Sequence, residues 1–280
     1  MRHTARMTAA SLVIVACMFL PFLPGGSDGL APTLSGMAQT FGMAGLLLVP
    51  IGAAWLGYEL RTRAAHAAAP RGRDAGWWFA LAAIVAATLV ALVVSVPALA
   101  EIGPSLGLAL LAAWAYWALR FTARLNTIHG FNPAPIYLIG LPVLAVILKL
   151  TLLGPAAERS RDRAIENSAT LIGDIERYRD THGAYPRSLL SVWNDYKLGA
   201  IGVVRYHYEP NGDAYNLFFE HPSVRFGTRE IVMYNKLDEH EMTSHDMDLL
   251  TRMRTELSLR RGYYAVNNTA RPHWKYFWFD

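Results

Sequence analysis

Charge is scarce in this 280-residue chain, and cysteine occurs once. Only 17% of the residues are charged and 53% are hydrophobic, where an ordinary soluble domain has about a quarter charged. The scarcity is uneven. Residues 1–155 hold nine Lys/Arg and four Asp/Glu, and residues 156–280 hold seventeen and eighteen. The first half therefore has the composition of a bilayer-embedded region and the second that of a soluble domain, which excludes a single soluble enzyme and a disordered chain. The net charge of +4 does not point to nucleic acid, because the basic excess lies in the apolar half, where it sets orientation instead. Cys17 alone excludes an internal disulfide, and its place in an apolar run makes it a packing residue.

Acids and histidines are missing where a transporter would need them. Five apolar runs, at about 8–24, 37–58, 77–100, 103–120 and 134–153, are each long enough to cross roughly 30 Å of hydrocarbon as a helix. None contains Asp, Glu or His, and Lys149, the ionisable group well inside a run, sits a turn from its end, where its stem can snorkel. Ion-coupled transport normally uses intramembrane acids or histidines, so this class is excluded. Gly52, Ala53 and Gly57 offer a small-residue face for close helix packing. Trp77 and Trp78 fit an interfacial belt.

What charge there is falls in a pattern. Arg2 and Arg6 precede the first run, Arg61, Arg63, Arg71 and Arg73 separate the second and third, and Arg120 and Arg124 follow the fourth. The alternate loops hold Asp28 and Glu101. Every basic loop then lies on one side, the cytoplasmic one, and five spans leave the C-terminal region outside. Pro21, Pro24, Gly25 and Gly26 read as the exit of a retained first helix.

Residues 156–280 read as an α+β domain. From Glu158 to Asp180, Ile165, Ala169, Ile172, Ile175 and Tyr178 recur at the spacing of one helix face. Gly183 supplies a left-handed stop and Pro186 cannot continue the helix. Val203–Glu209 and Ala214–Glu220 flank Pro210-Asn211-Gly212-Asp213, a strong hairpin signal. Arg229–Asn235 and Trp274–Phe279 are further strands, and a helix is expected over about His245–Leu257. The expected fold is thus a five-span α-helical membrane domain, 1–155, followed by an α+β domain with an antiparallel sheet, 156–280.

The run Ile175-Glu176-Arg177-Tyr178 … Gly183-Ala184-Tyr185-Pro186-Arg187-Ser188-Leu189 resembles the helix-to-sheet junction of type II secretion pseudopilins. Tyr206, Tyr208, Gly212, Tyr215 and Leu217 are similar to the hairpin of that family. The resemblance implies a pilin-like fold in which Tyr178, Gly183, Tyr185, Pro186 and Leu189 are architectural. In this chain the segment follows a fifth apolar run, and the fifth residue after Gly130 is Pro135 where the family has Glu. The resemblance is therefore carried to the fold and not to leader processing.

Asp238-Glu239-His240-Glu241 with His245, Asp246 and Asp248 is the densest set of potential metal ligands. It is read as an exposed acidic loop leading into a helix N-terminus, where carboxylates favour the dipole. His207, His221 and His273 are read as packed or surface residues, and Ser188 and Ser191 lack the setting of a nucleophile elbow. On the last strand Trp274, Tyr276 and Trp278 share one face, with Lys275, Phe277 and Phe279 on the other. Both faces are apolar, so the strand is covered or offers one face to a partner. No catalytic residue, metal or cofactor is assigned. The expected partners are the lipid bilayer of an inner membrane and an envelope protein meeting a periplasmic domain; nucleic acid is not among them.

Overall fold

The computed structural model describes residues 2–66, 74–101, 103–124, 131–192, 196–225, 228–238, 240 and 265–279. Among the described residues, seven α-helices and five strands follow in order. They are α1 Arg2–Phe19, α2 Leu30–Gly45, α3 Leu48–His66, α4 Ala75–Glu101, α5 Pro104–Arg124, α6 Ala134–Leu148 and α7 Gly154–His182, then β1 His207–Asn211, β2 Ala214–His221, β3 Arg229–Asn235, β4 Ala265–Asn268 and β5 Trp274–Phe279. The chain divides into two compact units: Met1–Phe19 with Thr33–Leu153, and Leu20–Pro32 with Gly154–Asp280. The second boundary falls close to residue 155, but the short stretch after α1 belongs with the sheet.

Among the described residues, three helices are long and apolar enough to cross a membrane, His3–Phe22, Ala75–Val96 and Ala134–His182, the last running on through α7, and a fourth span is made if α2 and α3 count as one. The expected run 37–58 is two helices bent by 56°. Pro50 explains the break: it has no N–H for the carbonyl of Leu46, and its ring collides with that carbonyl in a straight helix. The run expected at 103–120 is helical as α5, but Trp114, Tyr116, Trp117 and Arg120 dilute its apolar character. After α6 a π-helical turn, Lys149–Leu153, leads into α7. The widened turn precedes Pro155, whose ring would otherwise meet the carbonyl of Thr151.

Glycine brings α2 and α3 against α6. A Cβ on Gly42 would lie 3.0 Å from that of Ala145, one on Gly45 2.9 Å from Pro142 Cγ, and one on Gly52 2.9 Å from Ile139 Cγ1. The small-residue face expected at Gly52, Ala53 and Gly57 is corrected accordingly. Gly52 is in close contact, Ala53 is exposed and Gly57 faces open space. Continuation of α3 past the apolar run also brings in Glu59, which is fully buried. It accepts from Trp55 Nε1 at 3.0 Å and from the backbone N–H of Asn132 at 3.1 Å, just ahead of α6.

The other unit sets α7 along one face of an antiparallel sheet with strand order β1-β2-β3-β5-β4. Ala164, Ile165, Leu171 and Ile175 of α7 pack on Tyr215, Leu217, Phe219, Val232 and Trp274. The β1–β2 turn is tight, with Asn211 opposite Ala214 and Gly212 at φ +55°, the left-handed geometry a two-residue hairpin requires. β1 begins later than the alternation from Val203 predicts. Tyr206 instead reaches the helix, its hydroxyl donating to the carbonyl of Ala164 at 2.8 Å. β4 was not expected, since Asn267 and Asn268 have low strand propensity. The helix expected over His245–Leu257 lies outside the described residues.

The face of the sheet away from α7 is not bare. Asn216, Phe218, Ile231, Met233 and Phe277 on it are buried. Of the two options left open for the last strand, coverage is the one found.

Candidate functional site

The charged groups buried between α7 and the sheet converge on Glu230. This carboxylate is 1% exposed at the start of β3. One oxygen accepts from Arg161 Nε at 3.0 Å, the other from Trp278 Nε1 at 2.6 Å. His221 Nδ1 lies 2.9 Å from the first oxygen. The other ring nitrogen of His221 is 3.2 Å from Ser160 Oγ. Arg161 also stacks on Tyr276, its guanidinium carbon 3.8 Å from the ring centre. Burial alone would raise the Glu230 carboxyl; His221 and Arg161 outweigh it and hold the group at about 2.

Local structure explains the convergence. Ser160 and Arg161 occupy α7 one turn before Ala164 and Ile165, on the buried side of the helix. His221 and Glu230 pair across β2 and β3, and Glu230 pairs with Trp278 across β3 and β5. The segment Leu20–Pro32 closes the end of this array. Gly202 N–H donates to the Pro21 carbonyl at 2.8 Å, Ile201 N–H to Leu23 at 3.0 Å and Asp28 N–H to Ile201 at 2.8 Å. Phe22, 4% exposed, sets its ring 5.9 Å from that of His221. Ser160, His221 and Glu230 thus stand in the order of a proton relay, but Ser160 and His221 are fully covered. In this state the array fastens helix to sheet and admits no substrate. Sequence reading missed it, because Ser160 and Arg161 lie sixty or more residues before His221 and Glu230 and the four form no local motif.

The residues singled out from sequence lie at the opposite end of α7. Gly183 has φ +72° and donates its N–H to Arg179 at 2.8 Å, closing the helix. Tyr185 is half-buried in the seam, edge-on to Tyr215 with ring centres 5.0 Å apart, and packs on the cluster of Leu171, Ile175 and Leu217. Arg179 covers its ring at 4.7 Å and donates to its hydroxyl at 3.1 Å. Pro186 is buried, and its carbonyl accepts from the Tyr208 hydroxyl at 2.9 Å. Leu189 opens a 3₁₀ turn, Leu189–Val192, and leans on the same cluster. Tyr178 stands apart, stacked on His182 at 4.0 Å. A groove beside it is lined by Asp174, Arg177, Thr181, His182, Ser191 and Val192, with Leu190 at its rim 77% exposed. The Tyr196 hydroxyl lies 2.7 Å from both Asp174 and the Val192 carbonyl, and burial with the Asp174 bond pushes its pKa up to about 12.

Most of the acidic run Asp238–Asp248 lies outside the described residues. Of its two described residues, Asp238 is exposed, and His240 corrects the expectation of an exposed loop. His240 is 7% exposed, its Nδ1 is 3.1 Å from the Asp238 carbonyl and its ring faces Phe277 at 6.2 Å. Burial pushes its pKa down. Asp238, at φ +60°, reaches His273 Nδ1 at 3.2 Å.

No protein-family model, curated protein or solved structure matches the chain. The functional reading therefore rests on the residues and geometry above.

Proposed function

We propose that this is an integral inner-membrane protein of a bacterial envelope, whose C-terminal periplasmic domain is a pilin-like interaction module for an envelope protein of secretion or pilus type. The N-terminus is cytoplasmic and α5 serves as one of five spans. Trp114 Nε1 donates to Thr88 Oγ1 at 3.1 Å, tying α5 to the apolar α4. The observation that carries the reading is the order of elements: a span-length apolar helix, then α7 laid along an antiparallel sheet, with Gly183, Tyr185 and Pro186 at the turn from helix to sheet. The groove beside Leu190 offers the partner an exposed aliphatic side chain flanked by Arg177 and Asp174.

A photo-crosslinking residue in place of Leu190, used in intact cells, tests this. The expected result is one discrete heteromeric adduct that Arg177→Glu abolishes. If no exposed position of the domain yields an adduct while the protein remains in the membrane, the module has no partner.

A second reading, a membrane enzyme or sensor with a ligand- or metal-binding periplasmic domain, draws on the relay order of Ser160, His221 and Glu230. Complete coverage of Ser160 favours the first reading.

A further inference from the structure

Two covalent tethers meet at one end of the sheet domain. Phe22 comes three residues after the end of α1, and Ser160 seven residues after the π-helical turn that follows α6. Three extended residues span at most about 10 Å, and seven helical residues rise about 10 Å. Both residues touch the same side chain, His221. If α1 and α6 are spans, as proposed above, chain connectivity keeps Phe22 and Ser160 within about 10 Å of the hydrocarbon edge, and the corner of His221, Glu230 and Trp278 follows in side-chain contact with them; the headgroup layer itself is roughly 5–8 Å deep.

The side chains at that corner suit a headgroup. Arg225 is exposed, and its guanidinium carbon sits 3.8 Å from the centre of the Trp278 ring. Trp278 is half-buried and its Nε1 is held by Glu230 at 2.6 Å, so the platform under Arg225 is fixed. A guanidinium stacked on an aromatic face keeps its N–H edges directed outward, the geometry that binds phosphate in a bidentate manner. Tryptophan is itself enriched at headgroup depth. Glu158 and Arg159, both exposed in the first turns of α7, offset each other, and the Asp28 carboxylate is engaged by the N–H of Leu30 at 2.8 Å. We infer that Arg225, stacked on Trp278, binds the phosphate of an anionic phospholipid headgroup and fixes this end of the domain to the membrane surface. The inference rests on the membrane reading proposed above.

The full chain, reconstituted in phosphatidylglycerol–phosphatidylcholine vesicles carrying a trace of headgroup-photoreactive phosphatidylglycerol, provides the test. Adducts are expected on the apolar helices and, in the sheet domain, around Arg225 and Trp278. Arg225→Glu should lower the domain adducts about fivefold, the effect of one basic residue at an anionic surface, and leave the helix adducts unchanged. Arg225→Lys should fall between wild type and Arg225→Glu, since an ammonium keeps the charge but neither stacks on Trp278 in the same way nor binds bidentately. Equal domain labelling in wild type and Arg225→Glu, or equal labelling by a photoreactive phosphatidylcholine, would overturn the inference while leaving the membrane reading intact. Absence of adducts on α1 and α6 would overturn both.

Discussion

The two units satisfy their buried polar groups in opposite ways. In the helical unit, most hydroxyls turn back on their own helix, although Ser35 of α2 donates to the Met18 carbonyl of α1 at 2.7 Å. Thr40 donates to Gly36, Thr62 to Tyr58, Thr88 to Ile84 and Ser95 to Ala91, each four residues back. In the sheet unit the bonds cross the fold. Arg161 reaches Glu230 sixty-nine residues away, Tyr206 reaches Ala164, Tyr208 reaches Pro186 and Asn235 reaches Asn216. In the membrane proposed above for this unit, a helix has no water to fall back on, and a hydroxyl bonded to its own helix is already satisfied. A water-soluble domain can use them to join distant segments. The contrast teaches where stability is cooperative: in the sheet unit many of the buried polar contacts tie two elements together, whereas in the helical unit most are local.

The largest expected difference follows from breaking one contact of each kind. Glu230→Ala leaves Arg161 buried without its counter-charge, a loss that typically costs about 3–5 kcal/mol. Ser95→Ala removes a hydroxyl bond to its own helix, worth roughly 1 kcal/mol or less. Thermal melts of the full chain in detergent should separate the two clearly, and similar shifts would undo the contrast. Phe22→Ala should come next, at about 3 kcal/mol, although Phe22 lies only three residues beyond α1. It should destabilise the sheet unit and not the helices, as hydrogen exchange resolved by peptide would show. A fragment of residues 156–280 lacks this segment and should be less stable than one carrying 20–32 as well.

Tyr185→Ala should cost somewhat less, about 2 kcal/mol, because the ring is half-buried rather than enclosed. Tyr215→Ala, which empties a fully buried site beside it, should exceed it. The reverse order would mean that Tyr185, not the sheet, organises the seam.

Acidification should act on the sheet unit in two stages. His240 has its pKa lowered by burial, so its contribution is complete above the ordinary imidazole value of 6.5 and declines as pH falls below it. The Glu230 carboxyl, held at about 2, contributes fully above its ordinary 4.5 and loses that contribution as pH drops toward 2. His240→Gln should flatten the first stage and Glu230→Gln the second, in melting curves taken from pH 7 to pH 3.

Much of this fold is legible in the residues themselves. The period of Ile165, Ile172 and Ile175 marks α7, Gly183 marks its end, and Asn211-Gly212 marks the hairpin, because each signal is local. The bend between α2 and α3 is visible in Pro50 only once a helix is known to start near Leu48. The Glu230 array depends on strand register, which brings His221, Glu230 and Trp278 side by side and is set by packing across the whole sheet. His240 looked exposed because its neighbours are acidic, while its actual surroundings are Phe277 and the Asp238 carbonyl.

The central claim is that the sheet domain lies outside the cytoplasm on a polytopic anchor. Paired topology reporters, one fused after residue 70 and one at the C-terminus, test it most directly. The account predicts a cytoplasmic signal from the first and a periplasmic signal from the second. A cytoplasmic signal from the C-terminal fusion would contradict it.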